Sequence, residues 1–448
     1  MSIVVKLDVA PSFRSSLLGV IEMLRKSPDQ AVAFAIDAGV AGDSLTLSPE
    51  AAQAVRAVAA GLSLDQAISL SERVMASDLV IRIDTAAKSA GVATVTPTVA
   101  ASVSRPLAER PSAGFKPDLA SYDTVIVTFS GGKDSLASLI RTLELAREQG
   151  RDLIKERAVE LWHEDVDGHE EGQFMDWPVT AAYVKAVGDA FQIPVYFQWK
   201  VGGFLRELTK DQARTAPTQW EEPGGGIGTA GGERGELGSR LKFPQVSPDL
   251  RVRWCSAYLK IDPCSKAIVN QERFKGRRML VVSGERAEES PGRANYEVFE
   301  PDRTHLKSGA RHVDRWRPVH HWTTAQVWEA IRRAGVVAHP AYRSGFGRVS
   351  CAFCIFASHD QLATGRELMP KAFKKIVGLE KSFGTTIKRD KKTFDEWADE
   401  GTPYPVRDED AAEGRRLAVL TTYDAPILVR PEDWVLPLGA FAEGAGPT

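Results

Sequence analysis

At 448 residues, with 43% hydrophobic and 26% charged side chains, the chain has the make-up of a soluble globular protein with material for two or three domains. Lys+Arg 57 against Asp+Glu 59 gives a formal charge of -2, which excludes a global field for nucleic acid and leaves room only for a local basic face. No window has the apolar length of a membrane helix, and the start MSIVVKLDVAPSFRSS lacks the basic and apolar blocks of a signal peptide. A cytoplasmic protein with no membrane partner is expected, and four cysteines suit ligands better than a disulfide scaffold.

Residues 1–91 are Ala-rich and read as a mostly helical region of unknown role, with Ser48 as a helix cap and Gly61 as a stop. Residues 92–118, rich in Pro, Ser, Thr and Val, read as a linker. From Tyr122 the pattern changes. Val125–Phe129, Val159–Trp162, Val195–Phe197 and Met279–Val282 are short, nearly continuous apolar runs, as strands covered on both faces would be. A helix carrying Leu136, Leu139, Ile140 and Leu143 separates the first two. The stretch DWPVTAAYVKAVGDAF separates the next two, with Asp176 as its expected cap and Pro178 in its first turn. Strands alternating with helices predict an α/β domain with a largely parallel, Rossmann-like sheet over 119–360.

Residues 221–240, EEPGGGIGTAGGERGELGSR, are Gly-rich enough to predict a mobile excursion, either a lid or a long loop. Thr323 and Gln326 form a capping box before VWEAIRRAG, with Gly335 as its stop. Residues 361–448 read as a C-terminal extension, partly helical. Its stretch 371–394 is locally basic and is expected to present a solvated helix face.

The chemistry starts at TVIVTFSGGKDSLASLI, residues 124–140. A strand, two glycines and a helix start aim several backbone N–H groups at one spot, where the helix dipole adds positive potential. Lys133 adds a full charge, and Ser130 and Ser135 add hydroxyls, so the turn is an anion cradle. It is not a Walker A loop, because Val127 occupies the place of the first glycine and Asp134 follows the lysine. Nor does it carry the Gly-x-Gly-x-x-Gly of a dinucleotide site. Asp134 is either a ligand of Mg²⁺ or a structural cap. His163, Asp165 and Asp167 fall at the carboxyl end of the second strand, where α/β sheets bind ligands, although Asp167-Gly168 is equally a turn.

Ser130–Gly131–Gly132–Lys133–Asp134–Ser135 resembles the PP-loop of the ATP pyrophosphatase and phosphoadenosine phosphosulfate (PAPS) reductase superfamily, an adenine nucleotide alpha hydrolase-like fold. The resemblance continues through RWCSAYLKIDP at 253–263, SGERAEESPGR at 283–293, RWRPVHHWTTAQVWEAI at 315–331 and HPAYRSGFGRVSCAFCIF at 339–356. It implies that ATP, with Mg²⁺, lies with its phosphates on Ser130 to Ser135 and is opened at the α-phosphate. Lys133, Asp134, Lys260 and Arg286 would be catalytic, and His163, Asp165, Gly284 and Arg293 would add nucleotide contacts.

Cys351 and Cys354 form a Cys-x-x-Cys, and Cys255 and Cys264 complete a set of four whose thiolates suit either tetrahedral zinc or a four-iron cluster. The resemblance favours a [4Fe-4S] cluster over Zn²⁺. Ser256 departs from the Cys-Cys pair of adenosine phosphosulfate reductases, and the extra cysteine comes nine residues later, about 13 Å along a straight helix. Pro263 is therefore expected to start a new helix, so that the chain can fold back. The nucleophilic cysteine of a sulfonucleotide reductase tail has no counterpart after Cys354. The resulting expectation is an enzyme that adenylates an acceptor, either nucleic acid or a small molecule, for sulfur transfer from a donor protein. A sulfonucleotide reductase using an external thiol and a nucleotide-sensing regulatory protein are the alternatives.

Overall fold

The computed structural model describes residues 114–442, apart from 170–173, 248, 307, 350 and 389, together with four short strands nearer the amino terminus. The chain divides into two compact units, Met1–Pro106 and Leu107–Thr448. In the first, β1 (Ile3–Lys6), β2 (Val40–Ala41), β3 (Ser44–Leu47) and β4 (Arg82–Asp84) form an antiparallel sheet in the order β2-β3-β1-β4. The helices expected over 1–91, and most of the expected linker, lie outside the described residues.

The second unit is built on an eight-stranded sheet of β5 (Thr124–Thr128), β6 (Val159–Asp165), β7 (Val195–Lys200), β8 (Thr218–Glu222), β9 (Gly226–Ala230), β10 (Arg278–Val282), β11 (Phe299–Pro301) and β12 (His312–Trp316). Its order is β11-β12-β10-β5-β6-β7-β8-β9. The five strands from β12 to β7 run parallel, while β11, β8 and β9 pair antiparallel at the two edges. The apolar runs are continuous because both faces are covered. Val125 and Val127 of β5 join one buried cluster and Ile126 joins another, as Leu280 and Val282 of β10 do against Met279 and Val281.

Helices Lys133–Glu148, Thr180–Phe191 and Thr324–Arg333 place Leu139, Val187 and Ile331 in the first cluster. Helix Asp262–Asn270 covers the other face with Ile268 and Ala267. The chain steps from β5 to β6 to β7 on one side, then returns to β10 on the other side of β5. This reversal opens a crevice at the carboxyl ends of β5 and β10, the position where such sheets take ligands.

Several local expectations meet a competing interaction. The second helix begins at Thr180 rather than beside Asp176, because the Asp176 carboxylate accepts the Trp177 amide at 2.7 Å and the Thr180 hydroxyl at 3.2 Å in a preceding turn. The capping box of Thr323 and Gln326 forms, and Gly335, at φ +65°, closes that helix. Residues 221–230 of the Gly-rich stretch belong to a hairpin that prolongs the sheet as β8 and β9, and 231–240 follow it as a loop. Gly228 is needed there because a Cβ would stand 2.2 Å from the Trp220 indole.

The C-terminal extension packs four helices, His359–Leu368, Pro370–Phe383, Phe394–Asp399 and Glu409–Ala418, against the nucleus of the unit. In Pro370–Phe383, Phe373, Ile376 and Val377 face inward and Lys371, Lys374, Lys375 and Lys381 face solvent. Glu380 is buried in this helix and accepts the amides of Ile387 and Phe394, each at 2.8 Å. The chain then returns along the domain, with Val429 donating to the Gly335 carbonyl and Gly439 to that of Tyr342, each at 2.8 Å.

Replacing Glu380 with Ala leaves two buried amides without acceptors. A loss of about 2–5 kcal/mol in urea unfolding is expected. An unchanged midpoint would show that these amides find other partners.

Candidate functional site

A cleft of about 1260 Å³ opens at the carboxyl ends of the parallel strands. Ser130, Gly132, Lys133, Asp134 and Ser135 form one part of its wall, Ser283, Gly284, Arg286 and Arg293 another, and Cys255, Lys260, Cys351 and Cys354 a third.

The turn after β5 is shaped by its own small residues. Gly131 has φ +78°, which a side chain would strain. The Ser135 hydroxyl donates to the Gly132 carbonyl at 2.9 Å and lies 3.3 Å from the Ser130 hydroxyl. Helix Lys133–Glu148 therefore opens on the cleft with Gly132 at its cap.

Both oxygens of Asp134 are engaged. Lys133 Nζ donates to one at 3.2 Å and Arg286 Nε to the other at 2.6 Å. Burial resists ionisation of Asp134, but Lys133 and Arg286 outweigh it and hold the carboxyl below its usual range. Arg286 is only 2% exposed and also donates to the Glu288 carboxylate, to the Trp322 carbonyl at 3.0 Å and to the Thr324 hydroxyl at 3.2 Å. It thus ties the loop after β10 to the turn after β5. Gly284 permits this approach, since a Cβ there would lie 2.7 Å from the Asp134 carbonyl carbon.

The loop after β10 has a second anchor. Glu285 accepts the Ser283 hydroxyl at 2.7 Å and Arg317 Nε at 2.8 Å. Burial opposes its charge, yet Arg317 and Arg315 bring its pKa down to about 2. Arg293, capped by the Ser290 hydroxyl at 3.2 Å, pairs with Glu289.

Lys260 lies on a π turn, Ala257–Ile261, between Trp254–Ser256 and Asp262–Asn270. Such turns are frequent at functional sites. Burial disfavours its ammonium, but the thiolates that Cys351, Cys354 and Cys255 around it can form hold its pKa above the ordinary lysine value. Burial also pushes the Cys255 thiol up to about 11, with Cys354 adding to the effect, and sends Cys351 well above its normal value. Both are neutral thiols at pH 7, and binding to a metal would release their protons.

All four cysteines line the cleft, Cys255, Cys351 and Cys354 around Lys260 and Cys264 by Glu164 and Arg315. Pro263 does not break the chain direction: it occupies the first turn of Asp262–Asn270, where its missing N–H costs little. The chain does not fold back, and Cys264 stays roughly 13 Å along the helix from Cys255, beside Glu164 and Arg315. Among the described residues, the one trio of His, Cys, Asp and Glu ligand atoms within 4.8 Å is His305, His312 and Asp314. It sits at the amino end of β12, opposite the cleft. His305 Nδ1 accepts the Val313 amide at 3.2 Å, which leaves the proton on Nε2 and no lone pair there for a metal.

Gly131, His163 and Asp165 are not among the described residues lining the cleft. His163 is buried with Nδ1 2.9 Å from the Phe129 carbonyl, fixing the end of β5. Asp165 accepts the amides of Asp167 and Gly168 at 3.0 and 3.2 Å and builds the turn after β6. Asp167 accepts the amides of Phe174, Met175 and Asp176. No residue of 221–240 is among the described residues lining the cleft. Tyr342 and Glu285 are cleft residues that sequence reasoning missed.

Residues 236–357 match the phosphoadenosine phosphosulfate reductase domain family. That stretch of the chain is similar to the PAPS reductase superfamily. The matched span includes Cys255, Lys260, Gly284, Arg286, Arg293, Cys351 and Cys354, and begins after the turn at Ser130–Ser135. A 37.8 kDa protein of Escherichia phage 186 is 25% identical over 324 residues, covering 69% of this chain and 87% of that one. A protein of Methanocaldococcus jannaschii is 25% identical over 140 residues, 31% of each chain. Among solved structures, PAPS reductase from Candida auris in a phosphate complex aligns with TM-score 0.30 and 15% identity over 52% of this chain and 84% of that one. FMN adenylyltransferase from Candida glabrata with FMN and an ATP analogue aligns with TM-score 0.25 and 12% identity, over 51% of this chain and 54% of that one.

Glu285, held well down by Arg317 and Arg315, makes this cleft acid-sensitive. Its contribution to stability is present above about 4.5 and is lost as pH falls toward about 2. Urea unfolding between those values should depend less steeply on pH in Glu285→Gln than in the parent. Identical slopes would contradict the Arg317–Glu285 pairing.

Proposed function

We propose that the chain is an enzyme that binds ATP with Mg²⁺ and opens it between the α and β phosphorus atoms. An acceptor oxygen attacks the α-phosphorus, the bond to the bridging oxygen breaks, and pyrophosphate leaves. A sulfur nucleophile then displaces AMP from the activated acceptor, so that sulfur replaces oxygen. The observation that carries this reading is the helix start at Lys133 forming a wall of the same cleft as Lys260 and the cysteines.

In this reading the first-turn amides and Lys133 hold the phosphates of the leaving pyrophosphate. Asp134, fully paired with Lys133 and Arg286, keeps that lysine charged and oriented, while Mg²⁺ arrives chelated by the phosphates, as that ion commonly does. Lys260 is the cation between the nucleotide side and the thiols, suited to charge developing at the α-phosphate. Arg293 flanks the nucleotide side of the cleft.

Cys255, Cys351 and Cys354 fit a soft metal centre with three protein ligands. Zinc–sulfur bonds of about 2.3 Å bring tetrahedral sulfurs within about 4 Å of one another. The sequence resemblance supports an iron–sulfur cluster at these thiols, with zinc as the alternative. Bound there, such a cluster would supply a thiophilic centre for the sulfur step.

Anaerobically purified protein incubated with ATP, Mg²⁺ and nucleic-acid or small-molecule acceptors should release pyrophosphate and AMP. Lys133→Ala should lower kcat/KM by about 10²–10³-fold. ADP with inorganic phosphate as products, or sulfite from PAPS and a thiol, would replace this reading with another.

A further inference from the structure

The cleft holds more than one small ligand needs. A pocket for a single small molecule takes roughly 300–1,000 Å³, against about 1260 Å³ here. Beyond the turn at Ser130–Ser135 and the loop after β10, its wall continues over Arg253, Tyr296, Arg348 and Phe356. These residues come from three separate stretches: the approach to the π turn, the segment between Pro291–Ala294 and β11, and the neighbourhood of the Cys-x-x-Cys.

Two guanidiniums converge on one ring. Arg253 and Arg348 lie 5.9 and 5.6 Å from the centre of the half-buried Phe356 ring. Arg293, on the same wall, is a third cation. Burial draws the Arg253 pKa below the usual arginine value, and the charges of Arg293 and Arg348 act in the same direction. A cleft lined by one sign of charge focuses its field and concentrates ligands of the opposite sign. The second ring stands at the mouth. Tyr296 is 42% exposed and carries the Arg317 guanidinium 4.9 Å from its ring centre. Arg317 is buried and held by Glu285 at 2.8 Å and Glu300 at 2.7 Å, so Tyr296 rests on a fixed cation.

Arginines interleaved with accessible rings match a ligand that alternates phosphates with flat bases. An acidic peptide would engage the guanidiniums but offer the rings no planar partner. Bases inside a duplex have their faces covered by their neighbours, so an unpaired strand is the form that can use these rings. The position fits the chemistry of the cleft as well. Arg253 precedes Cys255 by two residues and Phe356 follows Cys354 by two, so a strand lying here passes the thiols on its way to Lys260.

We propose that the acceptor is a single-stranded polynucleotide, held at this end of the cleft with phosphates on Arg253 and Arg348 and a base on Tyr296. The inference rests on the reading of the cleft as an adenylating site and names the class of its acceptor. The formal charge of -2 gives the whole chain no general attraction for nucleic acid, so binding is confined to this wall.

Fluorescence anisotropy of labelled oligothymidylate and oligouridylate, each of about 16 nucleotides, tests this with the full chain across a salt series. The two arms separate DNA from RNA. Arg348→Gln should make the slope of log K against log salt shallower by about 0.7, the value of one phosphate contact on a single strand. Arg348→Lys should restore that slope. Tyr296→Ala should weaken binding by about 5–150-fold at fixed salt, the range for one stacked base. All three variants should keep the parent's affinity for ATP, which also reports that they are folded. Duplex bound as tightly as single strand, or unchanged oligonucleotide affinity in Arg348→Gln and Tyr296→Ala, overturns the inference. So does a loss of binding confined to Lys371→Gln with Lys374→Gln, on the solvent face of Pro370–Phe383. A parent that binds ATP but neither oligonucleotide overturns it and leaves the adenylation reading intact. A parent that binds oligonucleotide but no ATP sinks that reading and the acceptor role with it.

Discussion

The fold depends on one buried ionic contact at the crossover of the sheet. Asp134, in the first turn of the helix after β5, is held by Lys133 from its own turn and by Arg286 from the loop after β10. Three charges out of water are tolerated only because each is paired and hydrogen-bonded, and removing one partner would leave the others exposed to the full cost of burial. The absence of a side chain at Gly284 lets the two loops close to within a bond network. They therefore act as one body across the strand reversal, and the cleft inherits its shape from that body.

The thiol wall is held from the other direction. The π turn sets Lys260 facing Cys255, Cys351 and Cys354, and the C-terminal extension fixes the exit of the cysteine loop. Lys388 is buried there and donates to the carbonyls of Ile355 and Ala357 at 3.2 and 2.7 Å. The returning tail closes the same side, with the Trp328 indole donating to the Ala440 carbonyl at 2.8 Å. The turn after β5 and the cysteines thus stand on separately braced walls, and Tyr342 holds the first by accepting the Lys133 amide.

The parallel strands were legible in the sequence because burial on both faces leaves no polar alternation to confuse with a helix. The anion turn was legible because its glycines, lysine and serines are contiguous. What escaped were contacts made across long stretches of chain. The Tyr342 hydroxyl reaches an amide 209 residues away, and nothing near either residue announces it. Pro263 does start a helix, as its position suggested, but that helix continues the path of the preceding turn instead of folding back, so Cys264 lies by Glu164. His163 and Asp165 fell at the correct strand end but are consumed by the backbone of the neighbouring turns. The glycines of 221–240 reflected a hairpin packed on Trp220.

The central claim is that the helix start at Lys133 grips the phosphate tail of an adenine nucleotide. Its most direct test is a crystal structure of the chain with a non-hydrolysable ATP analogue and Mg²⁺. The account expects the β and γ phosphates within hydrogen-bond reach of the amides between Gly132 and Ser135, and the α-phosphorus facing Lys260. Phosphates seated elsewhere, with those amides unengaged, would contradict it.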